Sequence, residues 1–290
     1  MIERSRYPLL VTWLACAMSA CLTTPAALTQ LLEARRFASE MHVAFTQTAE
    51  ASNRAVMAND DATAQAAASE ARERGAVVDS HLAALRSTLQ ALGYKNDLAQ
   101  LESFESRFAE YRRLNDEVLS MVVENSNLKA QRLSFGPASE AADAFYEALE
   151  AATRNGAADN PCCARELAAR AWASLLEIRV LYSRHIAEAD DGEMTRMEAL
   201  MTTSATAARD AVAELTKMLP AASAPLAAGR SALDRFLAVH AEIIQLSRRN
   251  SNVRALALSL GQKRMLTAEG EAELQALEAA LAKHEFTATR

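Results

Sequence analysis

Residues Asn125 to Gly136 read N-S-N-L-K-A-Q-R-L-S-F-G, and residues Asn250 to Gly261 read N-S-N-V-R-A-L-A-L-S-L-G. Seven of the twelve positions are identical, and Leu128/Val253, Lys129/Arg254 and Phe135/Leu260 are conservative exchanges. The match continues upstream at the same spacing of 125, where Tyr111, Leu114, Val118 and Met121 align with Phe236, Val239, Ile243 and Leu246. Further upstream the spacing becomes 130: Arg54, Asp60 and Asp61 align with Arg184, Asp190 and Asp191, and Leu82, Leu85 and Leu89 with Val212, Leu215 and Leu219. The chain is therefore an internal duplication whose second copy is roughly five residues shorter in one loop. A repeat of this kind changes the unit that must bury a core, and the 290 residues divide into two units of about 125, each long enough to do so.

The composition points to helices. Alanine is abundant, glycine (8) and proline (6) are sparse, and aromatics make up 5%. Ala, Leu, Glu, Arg and Met are the strongest helix formers, and no stretch shows strand alternation. The net charge of -6 is spread along the chain without a basic stripe, which argues against a nucleic-acid partner. Cys162 and Cys163 are adjacent, and a disulfide between neighbours is strained and closes almost no chain. They read as incidental thiols.

Apolar seams at steps of three and four place the helices. In the first copy, helix one runs from Thr24-Pro25 to about Ala58, helix two from Asp60-Asp61 to Leu92 with Gly93 as its stop, and helix three from about Asp97. Helix three carries Leu101, Phe104, Phe108, Tyr111, Leu114, Val118 and Met121. The turn into helix four falls either at Asn125-Ser126-Asn127 or at Gly136-Pro137. Matching helix lengths in a bundle favours the asparagines, although the heptad continues through Asn125 and Asn250 to Leu128 and Val253. Turn chemistry from Arg154 to Pro161 joins the copies. The second repeats the plan, ending near Phe286. The expected fold is all-α: two tandem antiparallel four-helix bundles, 25–155 and 162–286, after an N-terminal apolar segment, 1–24.

That segment has Arg4 and Arg6 followed by no charged residue from Tyr7 to Leu32. It reads as a signal peptide, as a lipoprotein signal in which Met18-Ser19-Ala20-Cys21 approximates a lipobox and Cys21 is acylated, or as an uncleaved membrane anchor. Each reading places the remainder outside the cytoplasm, in the periplasm or on the periplasmic face of the inner membrane.

An apolar anchor leading into a long helix, then antiparallel helices with the polar pieces E-N-S-N-L-K-A (124–130) and R-R-N-S-N-V-R-A (248–255) before the fourth, resembles the four-helix-bundle sensor domain of bacterial methyl-accepting chemotaxis receptors. The resemblance implies a sensory or ligand-binding module with a small-molecule ligand, a membrane tie through the N-terminus, and a homodimer or partner receptor. Such receptors continue into a second membrane helix and a cytoplasmic hairpin that this sequence does not show, so the expectation is a sensor part without its own signalling domain. The alternative is a helical scaffold of the cell envelope.

No nucleophile elbow, phosphate loop or metalloprotease signature occurs, so no enzyme activity and no cofactor is expected. His185 and Glu188 form half of a di-iron arrangement, but copy one has Ala55 and Ala58 there. No metal site is expected, and His185 reads as a surface histidine near a turn. If a ligand is bound, both copies should retain what it needs. The polar survivors are Arg54/Arg184, the paired aspartates, Asn125/Asn250, Ser126/Ser251, Asn127/Asn252 and Ser134/Ser259. In an up-down-up-down bundle the turns after helices one and three share an end, so the Arg-Asp-Asp and Asn-Ser-Asn groups should meet. There they either cap helices and pair with one another or form a ligand pocket, with Arg54 and Arg184 supplying charge and Asn125, Asn127, Asn250 and Asn252 orientation.

Overall fold

The computed structural model describes residues 24–155 and 160–284. Within them every regular element is helical: α1 (Thr24–Val56), α2 (Asp61–Leu92), α3 (Lys95–Glu124), α4 (Ser126–Phe135), α5 (Pro137–Asn155), α6 (Pro161–Ala187), α7 (Asp191–Met218), a 3-10 turn (Pro220–Ala222), α8 (Ser223–Arg249), α9 (Ser251–Leu258), a π-helical turn (Ser259–Lys263) and α10 (Arg264–Lys283). No strand occurs among the described residues, so the chain is all-α. The expected targeting segment lies outside the described residues up to position 23, Cys21 included. No described helix is long and apolar enough to cross a membrane.

Several helix ends follow from local chemistry. Gly93, at φ 73°, closes α2 with paired bonds from Gly93 N–H to Gln90 O and Tyr94 N–H to Leu89 O, the Schellman pattern that needs a left-handed residue. Asn160 caps α6 by accepting from Cys163 N–H, with Pro161 in the first turn. Asp190 caps α7 by accepting from Glu193 N–H at 2.8 Å.

The compact units do not follow the copies. Unit 1 comprises the chain to Ala58, Ala62–Leu119 and the chain from Leu258, whereas unit 2 comprises Asn59–Asp61 and Ser120–Ala257. The core of unit 1 joins Met41 and Phe45 of α1, Leu82 and Leu85 of α2 and Phe104 and Phe108 of α3 to Leu266, Leu274, Leu277 and Leu281 of α10. Phe45 lies 5.7 Å from Phe104 and 5.0 Å from Tyr111, ring to ring, and Gly270 makes room for it, since a Cβ there would sit 2.8 Å from Phe45 Cζ. The core of unit 2 joins Phe145 and Leu149 of α5 to Leu175 and Ile178 of α6, Met201 and Leu215 of α7 and Leu233 and Phe236 of α8.

The fourth helix of each copy thus packs in the unit built mainly from the other copy, and the contiguous divisions 25–155 and 162–286 are corrected accordingly. The reason lies at the asparagines. Asn125 and Asn250 are single left-handed residues, φ 52° and 53°, between helices that resume at the next position. An antiparallel helical hairpin needs a loop of about two to five residues. One residue interrupts the helix without returning it onto its own copy, which is why the heptad continues past it.

Candidate functional site

Within unit 2 the two repeated phrases meet each other. Ser126 N–H donates to Ser251 Oγ at 2.9 Å and Ser251 N–H to Ser126 Oγ at 3.1 Å. Asn127 N–H donates to Asn252 Oδ1 at 3.2 Å, and Asn252 N–H to Asn127 Oδ1 at 3.1 Å. The side-chain amides complete the exchange, Asn127 Nδ2 to Asn250 Oδ1 at 2.8 Å and Asn252 Nδ2 to Asn125 Oδ1 at 2.7 Å. Each helix start leaves backbone N–H groups without intrahelical partners, and here each phrase caps the other. Asparagine suits the left-handed break because its short polar side chain tolerates positive φ. The remaining donors are also engaged: Asn125 Nδ2 with Asp61 at 2.6 Å, Asn127 Nδ2 with Ile186 O at 2.6 Å and Asn250 Nδ2 with Glu188 O at 2.7 Å.

The arginines lie apart from this junction's hydrogen bonds. Arg54 pairs with Glu70 at 2.7 Å and Arg184 with Glu193 at 3.8 Å, both with more than half of the side chain exposed. Asp61 does meet the Asn group, as expected, but its arginine is Arg132, at 2.7 Å. The Arg132 guanidinium and the Asn125 amide hold its carboxyl below the usual range. In copy two the corresponding Asp191 faces Arg248.

Beside the junction, unit 2 buries a network absent from the sequence reading. His185 is fully buried rather than on the surface. Its Nε2 lies 3.0 Å from Glu198 and its Nδ1 2.8 Å from Ser247 Oγ. Arg248 grips Glu198 with two bonds, of 2.6 and 2.9 Å, which keeps the carboxylate ionised. Burial pushes His185 below its usual range; neutral His185 donates from Nε2 to Glu198, while the Ser247 hydroxyl, beside Nδ1, donates to the His185 backbone carbonyl at 3.0 Å. Nearby, Tyr182 Oη and His240 Nδ1 are buried with no hydrogen bond, and burial lowers His240 to about 4.

Unit 1 holds different features. Lys263, 1% exposed, ends the π-helical turn, and its ammonium meets only neutral oxygens, Ser52 Oγ at 2.7 Å and Asn53 Oδ1 at 3.1 Å. Burial lowers it to about 8. Separately, α1, α2 and α3 line a pocket of about 280 Å³, open to solvent, with Thr48, Ala71, Gly75, Tyr111 and Asn115 in its wall and the exposed Arg72, Asp79, Arg112 and Asp116 around it. Tyr111 Oη and Asn115 Oδ1 are buried there without a hydrogen-bond partner. A buried polar atom left unpaired costs about 1–3 kcal/mol, so two on one pocket mark a place that expects a further group.

His185, Lys263 and the pocket were missed because each reads as ordinary helix. Aligning the copies carries the signal: Lys263 aligns with Ala138, and Ala71 and Gly75 with Met201 and Ala205, so a core position gains charge in one case and a helix face loses volume in the other. No protein-family model and no curated protein sequence matches the chain.

Proposed function

We propose that the chain is an extracytoplasmic ligand-binding sensory module, two four-helix bundles each completed by a helix of the other copy, similar to the sensor domain of bacterial methyl-accepting chemotaxis receptors and tied to a membrane through its N-terminus. The observation that supports it is the unit 1 pocket, which at about 280 Å³ lies at the small end of ligand sites and whose Tyr111 and Asn115 oxygens are buried unpaired. The reciprocal Asn-Ser-Asn junction supplies a discrete, fully bonded element of the kind through which a binding event is read as a change of state. A thermal-shift screen of the purified chain against small acids and amines tests the reading. A ligand at about 100 times its Kd adds about 2.7 kcal/mol to stability; a screen without any stabilising compound overturns the proposal. For the anchoring, globomycin-sensitive processing that is lost in Cys21→Ala selects the lipoprotein form, a membrane-bound product retaining Arg4 and Arg6 selects the anchor, and a cytosolic product overturns both.

One observation favours the alternative of a helical scaffold. Phe135 and Leu260, equivalent in the two copies, are 69% and 64% exposed, and retained surface apolar residues suit a protein contact. Sedimentation that stays monomeric up to high micromolar concentration, with Phe135→Ser and Leu260→Ser indistinguishable from the parent, would remove that reading.

A further inference from the structure

One face of α7 carries a chemistry that its counterpart α2 lacks. Ala64, Ala67 and Ala71 align with Met194, Met197 and Met201, and all six are buried. Asn115 of α3 aligns with His240 of α8. Unit 2 thus holds three thioethers and an imidazole where unit 1 holds three methyl groups and an amide. Met197 and Met201, four residues apart, project from the same side of α7. The helix register then brings His240 to them. α6 ends at Ala187 and α7 begins at Asp191, so the two run antiparallel across a short turn, and His185 of one meets Glu198 of the other at 3.0 Å. One turn further along, Tyr182 and Met201 come level, and both belong to one packed cluster. The Tyr182 ring lies 5.7 Å from that of His240, whose Nδ1 is buried without a hydrogen-bond partner.

We infer that Met197, Met201 and His240 form a binding site for copper(I), a soft monovalent cation, in the core of unit 2. The inference is independent of the unit 1 pocket. Thioether sulfur is a soft donor that selects Cu(I), and imidazole nitrogen suits the same ion. With three rotatable bonds each, the methionines are able to turn their sulfurs onto it. Gap filling accounts for methionines in a core, but not for an imidazole nitrogen stranded in the same layer, which carries a desolvation penalty until something binds it. Burial lowers His240 to about 4, so at neutral pH protons do not compete for the nitrogen. The surroundings disfavour divalent ions, which call for harder or anionic donors. Glu198, the carboxylate of the adjoining network, is already held by Arg248 and His185. Burial pushes the Tyr182 phenol up, so it supplies no anionic oxygen. Among the described residues, no group of three or more His, Cys, Asp or Glu is gathered to hold a metal ion. The donors on offer in this layer are neutral and soft.

Cys162 and Cys163 are free thiols near the surface and would also take up a soft metal, so the test uses the full chain carrying Cys162→Ser and Cys163→Ser. Anaerobic titration with Cu(I), buffered by a chromophoric chelator, should show a single ion bound per chain. X-ray absorption of the bound copper should show both sulfur and nitrogen ligands. Met197→Leu and Met201→Leu conserve volume and helix propensity, and His240→Leu removes the stranded nitrogen, so thermal unfolding without metal should stay cooperative in all three. Each should weaken Cu(I) binding by about 100-fold or more, because losing a group that merely supports a metal ligand already costs about 10–100-fold. Cu(I) should raise the melting temperature of the cysteine-free chain and leave that of its His240→Leu form unchanged. Failure of the cysteine-free chain to bind Cu(I), or binding that survives all three substitutions undiminished, would overturn the site. Displacement of the copper by an equal concentration of Zn(II) would overturn the metal class.

Discussion

The two copies agree at the junction and disagree in their cores. Asn125, Ser126 and Asn127 repeat as Asn250, Ser251 and Asn252 and perform identical bonding in both directions. Away from it, His185, Glu198 and Ser247 of unit 2 stand where copy one has Ala55, Ala68 and Val122, while Lys263 of unit 1 stands where copy one has Ala138. Reciprocal bonding explains the contrast. A change in one phrase strands groups in the other, so the two are held together, whereas each core answers only to its own neighbours and is able to acquire a cavity, a lysine or a histidine network independently.

The largest effect should come from breaking the shared part. Asn125→Ala and Asn250→Ala each remove two side-chain hydrogen bonds and place a non-glycine, non-asparagine residue at positive φ. Each should lower unfolding stability by about 3 kcal/mol, from lost bonds and left-handed strain together. Asn→Gly at either site should recover about 1 kcal/mol of that, since glycine accepts the backbone but not the bonds. Chemical denaturation of the four variants checks the symmetry; a large loss at one asparagine and none at the other would refute the idea of a reciprocal lock.

The private parts of the two units should separate by pH. In unit 1, Lys263 is lowered from 10.5 to about 8, so between those values the unfolded chain holds the extra proton and stability rises with pH. The burial penalty, about 3 kcal/mol, is fully present below pH 8 and is relieved as pH rises. The rise should be readable up to about pH 10, above which unfolding releases protons from Tyr111 and Tyr182, whose phenols burial pushes up. Lys263→Met should abolish the rise and stabilise the chain near pH 7 by about 2 kcal/mol. In unit 2 the sign is the same but the interval is acidic. His240, lowered from 6.5 to about 4, must take up a proton on unfolding in that interval, so stability is full above pH 6.5 and falls as pH drops to 4. His185, lowered by burial as well, adds to the fall. His240→Leu should flatten part of it, by about 2 kcal/mol at pH 4. Stability curves that do not move in these directions would show that the buried groups are more hydrated than their surroundings indicate.

How much of this was legible in the sequence depends on whether the information is local. Gly93, Asn160-Pro161 and Asp190 announce helix ends through backbone chemistry contained in a few residues, and the structure places those ends accordingly. Partner choice is not local. After a duplication, Leu266 and Leu274 suit the seam of either copy, and only the single-residue break at Asn125 and Asn250 decides which is used. The heptad running through Asn125 to Leu128 carried that information, and the preference for equal helix lengths overrode it. The Asp61–Asn125 meeting was legible from the shared end of two turns, whereas its arginine was not: Arg132 has no counterpart in copy two, where Ala257 stands, so a search for retained residues passes over it.

The smallest effect is expected where both copies keep the same charge on the surface. Arg54 and Arg184 are retained, yet each lies more than half exposed against a glutamate of the following helix, at 2.7 and 3.8 Å. Pairs of this kind contribute from about zero to 1 kcal/mol, screened by salt and opposed by side-chain entropy. Arg54→Ala should therefore cost about 0.5 kcal/mol, Arg184→Ala less because its pair is longer, and both effects should shrink in high salt. Neither residue lines the unit 1 pocket, so a ligand-induced rise in melting temperature should survive in both variants. If Arg54→Ala or Arg184→Ala erased that rise while leaving intrinsic stability intact, the retained arginines rather than the pocket would be reading the ligand, and the comparison would turn over: the shared surface charge would be the functional part and the cavity of unit 1 incidental.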